Sequence, residues 1–323
     1  MLRTISRGRA ALVAAGLSLT LAACGGADAG SGTSTSEGGE GSLSGTIQID
    51  GSSTVAPLSE AAAELFQEEH GGVNVVVGTS GTGGGFEKFC AGETDISDAS
   101  RPIKDEEAAT CESNGIAFEE LTVANDGLAV VVNPENDWAE CLTVEQLNAI
   151  WAPDSQIDNW NQVDPSFPDQ PLQLFGPGTD SGTFDYFTGE INGEEGASRT
   201  DYQPSEDDNV IVQGVQGSAG AMGYFGLSYV QENEGAVKAI EVDGGEGCVA
   251  PSEETVLDGT YTPLGRPLFI YISDKALERE EVVEFVNFYI ENDDAIAEQA
   301  LYIPLSDEQQ QEALAKVESL AGA

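Results

Sequence analysis

The sequence predicts an α/β fold in which helices cover a parallel sheet. Short apolar runs of strand length alternate with stretches of helical periodicity along most of the chain, an order typical of consecutive strand–helix units. With 323 residues the chain is long enough for one large domain or for two lobes.

The pattern over residues 46–102 predicts two strand–helix units followed by a third strand. The predicted elements are a strand at 46–50, a helix at about 56–70, a strand at 73–77, a helix near 86–90, and a strand and turn at 93–102. Pro57 suits the first turn of the first helix, because the N–H that proline lacks would have no partner there. Gly71 and Gly72 end that helix.

The pattern from residue 128 onward indicates that the chain leaves a first lobe and forms a second one. An apolar strand at 128–133 stops at Pro134, and helical periodicity follows at 138–151. Further predicted elements are a strand at 172–175, a helix through Phe184 and Phe187, a helix, turn and strand at 209–226, a strand at 268–273, and helices near 280–291 and 306–320. We interpret the strand at 268–273 as the return of the chain to the first lobe.

The N-terminus is typical of a lipoprotein signal peptide. Three arginines precede an apolar run at 10–21, and small residues stand directly before Cys24. The apolar run is shorter than the roughly 20 residues of a membrane-spanning helix. An ordinary secretory signal with an incidental cysteine is the alternative. We expect residues 1–23 to be removed and Cys24 to carry an acyl lipid, palmitate included, that holds the protein on the outer face of the cell membrane.

A flexible linker is predicted after the lipid anchor, at 24–45. Residues 25–44 are almost entirely Gly, Ser, Thr, Ala, Asp and Glu, a composition that cannot form a core. The folded body is therefore expected at 46–323.

The chain is strongly acidic, with 57 Asp and Glu against 12 Lys and Arg and a formal net charge of −45. Because this charge is spread along the chain, nucleic acid and anionic lipid are poor partners. Solubility or adaptation to salt explains the composition better than cation binding, since no Asp-x-Asp-x-Asp-Gly loop is present. We predict no metal and no other cofactor.

Cysteine usage agrees with export. Beyond Cys24 there are four cysteines at wide spacings, without a Cys-x-x-Cys motif, namely Cys90, Cys111, Cys141 and Cys248. Two disulfides are favoured over metal binding, and four cysteines allow three connectivities. We favour Cys90 with Cys111, which closes a short local loop, and Cys141 with Cys248, which then staples a separate region.

Three segments place hydroxyls and small residues at predicted strand-to-helix junctions. They are Ser53-Thr54, Gly81-Thr82-Gly83-Gly84 and Ser181-Gly182-Thr183. The first turn of a helix offers unpaired N–H groups and the positive end of the helix dipole, and glycine lets the backbone approach a ligand. Ordinary N-capping explains any one junction. The three together, beside Arg101 in a chain poor in cations, indicate a converging anion site.

Common enzyme motifs are not matched. The glycine-rich segment at 78–85 lacks Gly-Lys-[Ser/Thr] and misses the dinucleotide pattern Gly-x-Gly-x-x-Gly. Ser181 does not lie in a Gly-x-Ser-x-Gly elbow. His70, the single histidine, is expected on the surface at a helix end, so a Ser-His pair is not supported.

Six segments resemble, in order, the phosphate-binding lipoprotein of the high-affinity phosphate ABC importer. They are 51–57, 78–86, 95–102, 126–134, 176–187 and 266–271. The resemblance covers the chain from about Thr46 onward. It implies a two-lobed periplasmic-binding-protein fold of type II, with lobe I at about 46–128 and 267–323, lobe II at about 129–266, and orthophosphate in the cleft between them.

The resemblance also implies the site residues. The phosphate-contacting positions of the family fall on Ser53, Thr54, Thr82, Ser100, Arg101, Ser181, Gly182 and Thr183. The chain departs from the enterobacterial pattern, which has an aspartate at Ser100 and an arginine at Pro177. Another branch of the family has Ser-Arg here, so Arg101 is expected to supply the guanidinium, with Lys104 solvated.

The acceptor of the phosphate proton must then lie elsewhere. Asp126, before the first crossover strand, is the leading candidate, with Asp98 and Asp180 behind it.

The implied activity is capture and not catalysis. The protein is expected to be an extracytoplasmic, lipid-anchored monomer that binds phosphate and delivers it to the membrane permease of an ABC importer. The alternatives are binding of another oxyanion, such as sulfate or molybdate, and, less well supported, hydrolysis of a phosphate ester.

Overall fold

The structure, a computed structural model, describes residues 43–179 and 181–321. The predicted signal peptide, the lipidation site Cys24, the linker up to residue 42 and the candidate Asp180 lie outside the described residues. Within the described ranges, no helix has both the length and the apolar character needed to cross a bilayer.

Strands and helices alternate through most of the described chain. The strands are β1 (Gly45–Gly51), β2 (Val73–Thr79), β3 (Ile96–Ala99), β4 (Phe118–Val132), β5 (Cys141–Thr143), β6 (Gln173–Pro177), β7 (Gln203–Ser205), β8 (Ala221–Gly226), β9 (Lys238–Ala239), β10 (Glu241–Asp243), β11 (Cys248–Val249) and β12 (Gly265–Ser273). The helices are α1 (Ala56–Glu69), α2 (Gly81–Cys90), α3 (Asp105–Ser113), α4 (Val144–Trp151), α5 (Trp160–Val163), α6 (Gly182–Asn192), α7 (Asp208–Gln216), α8 (Leu227–Glu232), α9 (Glu253–Leu257), α10 (Asp274–Leu277), α11 (Glu280–Glu291), α12 (Asp293–Ala300) and α13 (Asp307–Ala321).

The main sheet has the strand order β2-β1-β3-β12-β4-β8-β6-β7, with β9 added on β4, and β11-β10-β5 form a small separate sheet. In the main sheet, the outer strands pair in parallel, as predicted. At its centre β12 runs antiparallel to β3 and β4, and β4 runs antiparallel to β8. The prediction of a parallel sheet is therefore wrong at the centre. The reason is connectivity, because β4 carries the chain out of one half and β12 brings it back alongside.

The hydrophobic side chains form two large cores, which divide the structure into two lobes. The core of lobe I is built from residues between 47 and 124 and between 268 and 317, with Phe66, Phe285 and Tyr289 fully buried. The core of lobe II is built from residues between 128 and 264 together with Ile303, with Trp151 and Trp160 fully buried. The crossover strands β4 and β12 join the two lobes.

Three element predictions are corrected. Helix α2 begins at Gly81 and not near Phe86, although glycine disfavours helix. Within this helix Gly85 packs closely against β1, since a β-carbon there would lie 2.5 Å from Gly51 Cα. The stretch 138–151 is not wholly helical, since β5 pairs with β10 before α4 begins. Strand β4 is longer than predicted because it spans both lobes.

The predicted disulfide pairing is confirmed. Cys90 is bonded to Cys111, with Cα atoms 4.2 Å apart, and this bridge joins α2 to α3 in lobe I. Cys141 is bonded to Cys248, with Cα atoms 6.0 Å apart, and this bridge staples the small sheet of lobe II.

Candidate functional site

The loop after β1 holds the first predicted junction. The backbone N–H of Ser52 donates to the Asp98 carbonyl at 2.9 Å, and the N–H of Thr54 donates to Ser52 Oγ at 3.2 Å. Ser52 and Thr54 are buried, while Ser53 is partly exposed. This loop is held rigidly at the carboxyl end of β1, where helix α1 begins.

The second junction, at the start of α2, is bonded to the loop after β3. Thr82 Oγ1 lies 3.0 Å from Ser100 Oγ and accepts the backbone N–H of Ser100 at 3.2 Å. The structure thus brings together two residues that were predicted to share a site.

The third junction, at the start of α6, reaches across to lobe I. Ser181 caps the helix, because its Oγ accepts the N–H of Thr183 at 3.2 Å. A β-carbon on Gly182 would lie 3.0 Å from the backbone nitrogen of Thr54. Only glycine therefore fits here without displacing the Thr54 loop, and the first and third junctions are in contact.

Arg101 is held within lobe I by an ion pair that was not predicted. Its guanidinium donates to both carboxylate oxygens of Glu107 at 2.8 Å and lies 5.7 Å from the ring centroid of Phe86. Partial burial opposes ionisation of Glu107, but the hydrogen bonds from Arg101 and from the Lys104 N–H lower its pKa overall. Lys104 itself is exposed, as expected.

Arg266 was not assigned to the site, yet its guanidinium lies between the predicted residues. Its Nη2 donates to Thr54 Oγ1 at 3.4 Å and to Asp126 Oδ2 at 3.2 Å, and its Nη1 donates to the Ser100 carbonyl at 3.0 Å. The signal that could have indicated it is an arginine opening an apolar strand in a chain with 12 basic residues.

The two candidate proton acceptors within the described chain differ in position. Asp126 is 4% exposed and pairs with Arg266 across the β4–β12 register, and burial raises its pKa while Arg266 opposes the rise. Asp98 is fully buried inside lobe I, where its Oδ1 accepts Ser59 Oγ–H at 2.8 Å. Burial raises the pKa of Asp98 to about 7. Asp126 is thus the candidate linked to the predicted junctions.

Lobe II adds carboxylates that the sequence did not single out. Partial burial raises the pKa values of Asp185 and Glu190 on α6; the neighbouring Glu195 adds to both rises, and Arg266 opposes them. An anion in this region would therefore meet both cationic and acidic side chains.

Comparison with known proteins identifies the family. A model of the PBP superfamily domain matches residues 36–293. The chain belongs to the PBP superfamily. It is 50% identical over 266 residues to protein SphX of Synechocystis, covering 81% of this chain and 79% of that protein. It is 38% identical over 311 residues to the phosphate-binding protein PstS of Staphylococcus saprophyticus, covering 96% and 93%.

Solved structures of PBP relatives are also similar. A possible phosphate binding protein from Planctomyces limnophilus has a TM-score of 0.83 and 48% identity, covering 86% of this chain and 99% of that one. A putative phosphate ABC transporter substrate-binding protein from Clostridium perfringens, solved with bound phosphate, has a TM-score of 0.56 and 28% identity, covering 81% and 100%.

The chemistry of this PBP site suits an oxyanion. Helix N-termini supply oriented N–H donors, serine and threonine supply hydroxyls, and arginine supplies a fixed fork of donors. In the described part of the chain, the one group of side chains with metal-ligand spacing contains Cys141 and Cys248, whose sulfurs are joined in a disulfide. His70 ends α1, where its ring packs 4.5 Å from that of Phe66.

Proposed function

We propose that this PBP-superfamily protein captures inorganic phosphate outside the cytoplasm and delivers it to the permease of an ABC importer. The observation that carries the proposal is the contact between Gly182 of lobe II and the Thr54 loop of lobe I, beside the Arg266 guanidinium. Donors from both lobes meet there, so one small anion can accept hydrogen bonds from both. The relatives named as phosphate-binding proteins support phosphate as that anion.

The proposed ligand site comprises hydroxyls, backbone N–H groups and one or more guanidinium groups. Its residues are Ser53, Thr54, Thr82, Ser100, Arg101, Asp126, Ser181, Gly182 and Thr183. Neutral donors and arginine bind the dianion, and Asp126 accepts the proton of hydrogen phosphate. The lobes close over the ligand by bending at β4 and β12, and the permease recognises the closed form.

The proposed cellular arrangement follows the N-terminal pattern. Residues 1–23 are removed, Cys24 carries the lipid, and the linker from Cys24 to the start of β1 at Gly45 tethers a monomeric binding domain to the membrane. Within that domain we propose lobe I at about 46–128 and 267–323, and lobe II at about 129–266.

Calorimetric titration of the purified protein, dialysed free of phosphate, tests the proposal. We expect one phosphate to bind per chain, with negligible heat from sulfate or molybdate. Affinity for sulfate or molybdate equal to that for phosphate would replace the proposal with general oxyanion binding. Release of phosphate from a chromogenic phosphate ester would instead indicate a hydrolase.

A further inference from the structure

Arg266 contacts three of the predicted site residues, Thr54, Ser100 and Asp126, and also Tyr186 on α6. It is the second residue of the second crossover strand, β12, and lies directly opposite Asp126 on the first crossover strand, β4. Its side chain is 16% exposed, so its charge is largely removed from water. A desolvated charge needs a fixed partner, and the buried Asp126 provides one, since its Oδ2 lies 3.2 Å from Arg266 Nη2.

The donors of Arg266 are not all used by this ion pair. The guanidinium has five N–H groups in a planar fork. Nε and Nη2 donate to Asp126 Oδ2 at 3.3 and 3.2 Å, Nη1 donates to the Ser100 carbonyl, and Nη2 donates weakly to Thr54 Oγ1 at 3.4 Å. Among the described residues, the second hydrogen of Nη1 has no acceptor, and the long bond to Thr54 could be exchanged for one to an anion at the Thr54 loop.

The guanidinium of Arg266, which lies on the crossover strand β12 between the two cores, also stacks on helix α6 of lobe II. Its central carbon lies 3.4 Å from the ring centroid of Tyr186, whose hydroxyl donates to the Pro263 carbonyl at 2.6 Å. Tyr186 lies one helical turn after Gly182 on α6, so it shares the helix face that meets the Thr54 loop. The position of α6 is thereby tied to the position of the guanidinium.

We propose that Arg266 is a second guanidinium, beside Arg101, that binds the anion in this cleft, and that its stacking on Tyr186 couples the bound anion to closure of the lobes. This inference rests on the proposed function of phosphate capture. Carboxylates at Asp126 and Asp185 would repel a dianion at the Thr54 loop, and Arg266 offsets that repulsion because arginine keeps its charge. Arg101, already held by both oxygens of Glu107, contributes from the side of lobe I.

The test is a double-mutant cycle on the phosphate dissociation constant. R266Q alone leaves Asp126 buried without its partner and can destabilise the fold, so R266Q is also made in a D126N background. We expect R266Q to weaken phosphate binding at least 30-fold in both backgrounds. R279Q is the matched control, because Arg279 is also ion-paired, but with Asp95 and Glu281. The R279Q variant should bind phosphate like the wild type.

The coupling to closure is tested at Tyr186. Y186L removes the ring face under the guanidinium, and we expect phosphate to dissociate about tenfold faster in stopped-flow measurements, because closed lobes lose a cation–π contact. Y186F keeps the ring and should retain the wild-type rate.

Three results would overturn the inference, in whole or in part. If R266Q has no effect in the D126N background, Arg266 serves only to neutralise Asp126. If Y186L and Y186F dissociate alike at the wild-type rate, the stacking does not couple the anion to closure. Failure of the wild-type protein to bind phosphate would overturn the proposed function and this inference together, whereas wild-type binding with unaffected variants overturns the inference alone.

Discussion

Gly182 and Thr54 touch across the two lobes. A β-carbon on Gly182 would approach the backbone nitrogen of Thr54 to 3.0 Å and its Cα to 3.1 Å, in addition to clashing with Oγ1. The N-terminus of α6 can meet the loop after β1 only because this position has no side chain. The contact makes Gly182 a sensitive probe of closure.

G182A is expected to weaken phosphate binding at least tenfold, because the added methyl group holds the Thr54 loop and α6 apart. G189A in the same helix is the matched control, since its β-carbon would meet only the flexible Glu195 side chain, at 3.3 Å. Calorimetry of both variants is the measurement. Equal affinities for G182A, G189A and the wild type would show that the contact is not part of the binding state.

Discrimination between phosphate and sulfate is expected to depend on Asp126. A buried carboxylate accepts the proton of hydrogen phosphate, whereas sulfate has no proton to donate and leaves the acceptor unpaired, a difference of several kcal/mol. We expect D126N to reduce the ratio of phosphate to sulfate affinity by at least tenfold in competition titrations. An unchanged ratio would remove Asp126 from this role.

R101A is expected to weaken phosphate binding more than K104A. Loss of a buried charge contact typically costs 2–5 kcal/mol, which is about 30-fold or more in affinity. K104A is the control, since Lys104 is exposed, and it should bind like the wild type. R101A also leaves the Glu107 carboxylate without its partner. The double variant R101A/E107Q is therefore measured beside R101A, because it lacks that unpaired negative charge. Equal small effects of R101A and K104A would assign the ion pair with Glu107 a structural role only.

Stability is expected to fall as pH rises, through Asp98. Its pKa is raised to about 7 by burial, opposed by Ser59 and reinforced by Asp50 and Glu60, against about 3.9 in an unfolded chain. The folded protein thus binds the proton more tightly, and the free energy of unfolding should drop by up to roughly 4 kcal/mol between pH 4 and pH 7.

D98N should remove most of that slope in urea unfolding at pH 5 and pH 8, because asparagine does not titrate. D154N, at an exposed aspartate, serves as the control and should keep the wild-type slope. The same slope in D98N and the wild type would mean that other carboxylates cause the pH dependence.

The cysteines are expected to divide into one lipidated residue and two disulfides. The mature chain should begin at an acylated Cys24, and C24S should leave an uncleaved or released protein. Intact mass with thiol labelling under non-reducing conditions checks both points. C141S/C248S should lower the free energy of unfolding by roughly 2–4 kcal/mol, since that bridge restricts a long stretch of the unfolded chain. Free thiols at Cys90 or Cys248 would contradict the pairing.

Local features of the chain were predictable from the sequence. The alternation of strands and helices follows from hydrophobic periodicity, and the junctions at Thr54 and Ser181 follow from the preference of hydroxyl side chains and glycine for helix starts. The expectation of two disulfides follows from the cysteine count, and the short loop between Cys90 and Cys111 favoured one of the three possible connectivities. These signals depend on residues that are close together in the chain, so a single sequence is enough to recognise them.

The ion pairs of the site were decided by the tertiary structure. Arg266 and Asp126 are 140 residues apart and meet because β4 and β12 run antiparallel in one register. Asp98 faces the core of lobe I for the same kind of reason, whereas Arg101 pairs locally with Glu107, six residues further along the chain in the first turn of α3. The residue pattern of one strand does not show which strand lies beside it. The ion-pair partner of a charged residue on a strand can be predicted only when the neighbouring strand and its register are known. The sequence alone therefore located the junctions that we predict to bind the anion, and only the packing of the two crossovers decided which guanidinium stands between them.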